Sequence, residues 1–198
     1  MSSTRWDKRY AADEYVYGTN PNEFFRDELA KLSPGRILLP AEGEGRNSVY
    51  AASQGWKVTA FDSSTEGQKK ALRLAGQNSV HIQYQVAGFS QVLLPEEHFD
   101  CVAMIYAHAS ASDRTQRHRR MLSSLKEGGT FILEGFSKEQ IHNQTGGPKD
   151  VAMLFSEEEL KFDFQELSER KIWKEEIELQ EGPFHNGKAS IIRLIGVK

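Results

Sequence analysis

The run Ile37-Leu38-Leu39-Pro40-Ala41-Glu42-Gly43-Glu44-Gly45-Arg46-Asn47-Ser48 decides the fold. It opens as a short apolar strand, Arg36 to Pro40, passes through a Gly-x-Gly turn, and continues into a helical pattern from Arg46 to Gln54 closed by Gly55. Glycine at 43 and 45 lets main chain approach a ligand closely, and the helix that follows offers free N–H groups. A second strand, Trp56 to Phe61, ends at Asp62, about 20 residues beyond the turn. A carboxylate there is placed to accept hydrogen bonds from the two hydroxyls of a ribose. A lone Gly-x-Gly is a common tight turn, but between a strand and a helix, with an acid closing the next strand, it points to an adenosine-bearing ligand.

The alternation continues outward. A helix from about Thr65 to Gly76 precedes a strand at His81 to Val86, and a fully apolar strand runs from Phe99 to Tyr106. A helix spans Asp113 to Leu125. The turn Lys126-Glu127-Gly128-Gly129 leads to a fifth strand, Thr130 to Phe136. Strand–helix–strand alternation with short turns predicts a parallel sheet covered by helices on both faces. Before it, Asn22 caps a helix from Glu23 to Leu32. After it, Ser156 and Glu159 form a capping box for a helix reaching Phe164. Lys171 to Leu179 and Lys188 to Val197 then read as two strands joined by a loop containing Gly182-Pro183 and Asn186-Gly187, which should pair antiparallel. The expected fold is an α/β Rossmann-like three-layer sandwich: a mostly parallel sheet finished by an antiparallel hairpin.

Composition sets the outer limits. The chain has 198 residues, 38% of them hydrophobic and 27% charged, with net charge -3. Residues 1–198 read as one globular domain, with 1–21 a lid segment over cofactor or substrate. No basic stripe marks a nucleic-acid footprint. No stretch approaches the roughly 20 apolar residues of a membrane span, and Met1 to Asp7 lacks the apolar core of a signal peptide. Those absences predict a cytoplasmic protein acting without nucleic acid or membrane. The one cysteine, Cys101, lies in an apolar run and reads as core. No His/Cys cluster has ligand spacing, so no metal is expected.

Two adenosine ligands compete for the glycine turn. A dinucleotide sets its pyrophosphate on the helix N-terminus, usually with a third glycine, where this chain has Ser48. Glu42 and Glu44 would repel a pyrophosphate, and they suit the ammonium and sulfonium of S-adenosylmethionine. The stretch Glu42 to Ala52 with Phe61-Asp62 resembles the first motif of class I S-adenosylmethionine-dependent methyltransferases, most closely the branch of the tellurite-resistance enzymes and, more distantly, the thiopurine methyltransferases. Trp6-Asp7-Lys8-Arg9-Tyr10, Tyr15-Val16-Tyr17-Gly18-Thr19-Asn20-Pro21 and Gly146-Gly147-Pro148-Lys149-Asp150 share in the likeness, which spans nearly the whole chain.

The resemblance implies a seven-stranded sheet with its last strand antiparallel. It also implies S-adenosylmethionine held by Tyr17, Gly18, Glu42, Gly43, Glu44, Gly45, Arg46, Asn47, Asp62, Ser63, Phe89 and Tyr106. The chain departs from the pattern in two places. Leu39 stands where relatives carry an acid and Ala41 where they carry glycine, so Glu42 becomes the candidate carboxylate for the cofactor's amino group. After the third strand, Ala87-Gly88-Phe89-Ser90 lacks the usual acid, which leaves adenine to main-chain groups and Phe89.

In such sheets ligands lie beyond the carboxyl ends of the strands. His108, leaving the fourth strand, can orient or deprotonate an acceptor, or cap its loop. Tyr10, Lys149 and Phe155 are the candidate acceptor residues, with Tyr10 and Tyr17 also readable as rim packing. His81 and His118 read as structural or solvated, and Arg114 as a solvated helix position ahead of an anion site. The expected function is methyl transfer to a small molecule, a thiol or a tellurium or selenium oxyanion. A non-catalytic S-adenosylmethionine-binding module is the alternative, and an NAD(P)-dependent oxidoreductase a weaker one.

Overall fold

A computed structural model describes residues 3–198. Met1 and Ser2, the start of the segment read for a leader, lie outside the described residues. The elements are α1 (Ser3–Tyr10), α2 (Glu23–Leu29), β1 (Arg36–Pro40), α3 (Arg46–Ser53), β2 (Lys57–Asp62), α4 (Thr65–Gln77), β3 (Gln83–Val86), β4 (Phe99–Ile105), α5 (Ala111–Ser124), β5 (Leu125–Phe136), α6 (Glu157–Asp163), β6 (Ser168–Gln180) and β7 (Asn186–Val197). Two short 3-10 turns, Lys138–His142 and Val151–Met153, fill the stretch between β5 and α6. The strands form one seven-stranded sheet in the order β3-β2-β1-β4-β5-β7-β6. β1 pairs parallel with β2 and β2 with β3, β4 pairs parallel with β5, and β7 runs antiparallel to both β5 and β6. This is the α/β fold the alternation predicted, with the terminal hairpin where the two late strands were expected.

The chain divides into two compact units, residues 1–94 with 181–183, and residues 95–180 with 184–198. In the first, β1 and β2 bury Ile37, Leu38, Leu39, Ala60 and Phe61 almost completely. Such near-continuous burial is what a parallel strand covered on both faces requires. Asn22 and Ser64 cap α2 and α4 through their side chains, satisfying N–H groups that have no partner within a helix. Helix α1 was not legible as an element. It is polar along most of its length, and its Asp7 caps a distant helix, accepting from Ser64 Oγ at 2.7 Å and Glu66 N–H at 3.2 Å.

The second unit packs Phe136, Leu154, Leu179, Ala189 and Ile191 as one cluster. Ser156 and Glu159 form the expected capping box at the start of α6. Cys101 is fully buried in β4, and that burial pushes its thiol well above the usual range. Arg114, read as solvated, is instead buried and bonded to Asp163 at 2.6 Å and Glu159 at 2.9 Å. Asp163 also accepts from Thr115 at 2.7 Å and bonds His118 at 2.8 Å, so this face of α5 holds α6. Spacing alone made that face look solvent-directed because its acidic partner lies some fifty residues away. No described helix is long and apolar enough to cross a membrane.

Candidate functional site

The glycine turn leaves β1 through Ala41, whose φ of 52° is left-handed, and enters α3 through Gly45, φ 89°. A Cβ at Gly45 would stand 2.5 Å from Cβ of Ala71, so glycine there lets α3 and α4 close on each other. A Cβ at Gly43 would stand 2.7 Å from the Tyr10 hydroxyl. Tyr10 therefore lies over the turn, 5% exposed and stacked on Trp6 at 5.5 Å. Burial, then Asp62, pushes its hydroxyl well above the usual phenol range. Tyr84 on β3 fixes the turn from another direction, donating to the Gly43 carbonyl at 2.6 Å.

Asp62 ends β2 and is pinned by main chain. Gly43 N–H donates to Oδ2 at 3.2 Å and Ser64 N–H to Oδ1 at 2.8 Å. An ionised carboxylate has about four acceptor positions, so these two bonds orient it and leave capacity for hydroxyl donors. Burial raises the Asp62 carboxyl, opposed by the N–H groups of Ser64, Gly43 and Ser63. Glu42 is partly buried and accepts from Ser48 N–H at 2.6 Å, inside the first turn of α3. Its carboxyl is pushed up to about 7 by burial, against the lowering effect of Ser48. Phe89, partly exposed, stands edge-to-face on the buried Phe61 at 5.2 Å. Ser63, beside Asp62, is also partly exposed. This set fits S-adenosylmethionine chemically: one carboxylate suits a diol, a second suits an ammonium, and an aromatic ring stands after β3.

Three further polar residues of the turn, Glu44, Arg46 and Asn47, bond to the amino-terminal segment. Glu44 is 4% exposed, ion-pairs with Lys70 at 2.5 Å and accepts from Val16 N–H at 2.8 Å. Arg46 donates to the Tyr17 carbonyl at 3.4 Å and to Glu181 at 3.0 Å. Asn47 accepts from Asn22 N–H at 2.9 Å. Glu44, Arg46 and Asn47 thus grip the segment from Val16 to Asn22, which carries Tyr17 and Gly18. Lys70 extends the grip, donating to the Ala12 and Glu14 carbonyls. Sequence reasoning missed Lys70, Tyr84 and Glu181, and gave Asn22 only its capping role. Glu181 carried no signal, since its partners lie 135 and 159 residues away.

In the second unit, Tyr106 follows β4 with φ 53°, a strained conformation for a tyrosine. Its ring meets Phe136 at 4.7 Å and His185 at 4.6 Å, with His185 another residue the sequence did not mark. His108 accepts the Phe136 N–H on Nε2 at 3.0 Å and faces the Met153 carbonyl through Nδ1 at 2.9 Å. Both ring nitrogens are thereby committed to main chain, and burial lowers the imidazole to about 4. His108 thus braces a loop. Phe155 is 1% exposed and packed in the core, stacked on His108 at 4.6 Å with its main chain bonded to Phe136. Lys149 is exposed and donates to the Asn143 carbonyl and to Gln144. Among the described residues no group of three or more His, Cys, Asp or Glu could hold a metal ion.

Residues 37–129 match the family model described as a methyltransferase domain. No curated protein matches the chain. Among solved structures, TehB from Haemophilus influenzae is similar at TM-score 0.70 and 17% identity, over 99% of this chain and 66% of that one. A protein studied for conversion of a disulfide bond into a thioacetal group during echinomycin biosynthesis is similar at TM-score 0.75 and 16% identity, over 98% and 90%. An S-adenosylmethionine-dependent methyltransferase from Methanosarcina mazei is similar at 0.65 and 19%, over 90% and 98%. These likenesses agree with the sheet order and the antiparallel last strand. Residues 37–129 thus match a methyltransferase domain, and the chain as a whole shares the fold of these solved proteins.

Proposed function

We propose that this chain methylates a small-molecule thiol, with Asp62 holding the ribose of the cofactor and Glu42 its amino group. Asp62 carries the proposal: it is a carboxylate at the carboxyl end of β2, oriented by Gly43 and Ser64 with acceptor capacity remaining. Tyr10, Tyr17 and Gly18 border the same turn, and Phe89 offers a ring to adenine. The cofactor supplies an electrophilic methyl group on a sulfonium. The protein's part is to hold an acceptor in line with it and to exclude water.

A thiol is favoured over a chalcogen oxyanion by the first of two observations, and over an alcohol or a protonated amine by the second. Arg114, the candidate for an anionic acceptor, is bound to Asp163 and Glu159. His108 has no nitrogen left for proton abstraction, and a thiol, ionising near 8.5, needs the least help to become a nucleophile. Calorimetric titration with S-adenosylhomocysteine beside NAD and NADP, repeated on Asp62→Ala, tests the cofactor half. Saturable binding of S-adenosylhomocysteine alone, lost in the variant, is expected. The acceptor half is tested by incubating thiols, selenite and tellurite with S-adenosylmethionine and weighing the products. Methylated tellurite or selenite without any methylated thiol would overturn it.

A further inference from the structure

Residues 181–183 belong to the first unit, although the chain reaches them only after β6. Gly182 has φ 82°, and a Cβ there would stand 2.7 Å from the Val16 carbonyl oxygen, 2.8 Å from Gly18 N and 3.0 Å from the Tyr17 carbonyl carbon. The loop therefore lies main chain against main chain on residues 16–18, an approach open only to glycine at this φ. Glu181 beside it bridges two anchors of the same segment. One carboxylate oxygen pairs with Arg46 at 3.0 Å and the other accepts from Asn22 Nδ2 at 2.9 Å. Arg46, Asn22, Glu44 and Asn47 are all under 9% exposed.

The segment Val16–Gly18 is thus held from two directions, by the side chains of the glycine turn and by the loop at 181–183. We infer that Glu181 and Gly182 form a latch that keeps this strap closed over the cofactor and sets how fast the cofactor leaves. They are positioning residues, acting through Arg46, Asn22 and residues 16–18. The inference rests on the proposal that Tyr17 and Gly18 border the bound cofactor. It goes beyond that proposal in assigning control of release to a loop that follows β6. Charge-assisted bonds such as Arg46–Glu181 are among the stronger ones a protein makes, so opening the strap has a cost that Glu181 sets.

The test is the dissociation rate of S-adenosylhomocysteine, followed by stopped-flow displacement, in wild type, Glu181→Gln, Gly182→Ala and Asp62→Ala. Glu181→Gln should release the ligand about tenfold faster, the ratio expected when one charge-assisted hydrogen bond becomes neutral. Gly182→Ala should do the same by pushing the loop off residues 16–18. A purely structural role would lower the urea midpoint of ligand-free protein and leave the dissociation rate unchanged, which would overturn the latch. If Asp62→Ala loses binding while Glu181→Gln releases ligand at the wild-type rate, the latch fails and the cofactor site stands. If wild type does not bind S-adenosylhomocysteine, both fail.

Discussion

If Glu42 meets the cofactor's ammonium, affinity should rise with pH across the range in which that carboxyl ionises. Its carboxyl is pushed up to about 7 by burial, so at neutral pH it is about half protonated in the free protein. Binding of a cation beside it favours the ionised form and expels the proton. At about pH 5.5 only about 3% of molecules carry the charge, against about 97% at about pH 8.5, for a carboxyl titrating near 7. The dissociation constant of S-adenosylhomocysteine should therefore fall about thirtyfold over that interval, or about 2 kcal/mol.

Calorimetry checks this twice over. The affinity should follow the curve, and at pH 7 about half a proton should leave per ligand bound, read as a dependence of the heat on buffer ionisation enthalpy. Glu42→Gln should bind at about the wild-type low-pH strength and show neither effect. For folding, the sign is opposite. A carboxyl raised above its unfolded value of 4.5 stabilises below that value, and the contribution is lost as pH rises through about 7. Ligand-free protein should accordingly weaken over that window by up to about 3 kcal/mol relative to Glu42→Gln. A flat affinity from pH 5.5 to 8.5, with no buffer dependence, would remove Glu42 from the cofactor site.

Two further variants probe the local geometry. Ala41→Gly relieves a left-handed alanine at φ 52°. That conformation costs about 1–2 kcal/mol, and glycine's added chain entropy takes back about 0.5–1, so thermal unfolding should show a gain of roughly 0.5–1 kcal/mol. Unchanged or lowered stability would mean that the turn is not strained at 41. His108→Ala strips partners from the Phe136 N–H and the Met153 carbonyl, and should cost about 2–4 kcal/mol in urea unfolding. Methyl transfer per folded molecule should stay within about threefold of wild type, whereas a loss of about a hundredfold or more would restore His108 as the base.

Much of the fold was legible because parallel strands announce themselves: Arg36 to Pro40 and Phe99 to Ile105 are short, apolar and bounded by turns. The caps at Asn22 and Ser156 were legible for the same reason, since a cap is a local contract between side chain and main chain three residues on. What failed depended on distant partners. Arg114 looked solvated until Asp163 and Glu159 were brought to it, and nothing local to His108 showed that Phe136 and Met153 would meet its ring nitrogens. Helix α1 escaped because its residues serve contacts made elsewhere, with Tyr10 on the glycine turn and Asp7 on α4.

The glycine turn itself separates two uses of one motif. Glu44, Arg46 and Asn47, which gave the resemblance much of its specificity, spend the bonds described above on Val16, Tyr17, Asn22, Lys70 and Glu181. Gly45 likewise answers to Ala71. Such a motif is diagnostic because it fixes how the amino-terminal segment folds onto the turn, and that constraint is indifferent to the methyl acceptor. On the proposed reading, recognition of the cofactor falls to few groups, chiefly Asp62, Glu42 and exposed main chain. This accounts for how Leu39 and Ala41 can replace the usual acid and glycine while the rest of the pattern stays intact. On that reading Glu42 takes the place of the acid, and Ala41 holds its left-handed conformation at a modest cost in strain.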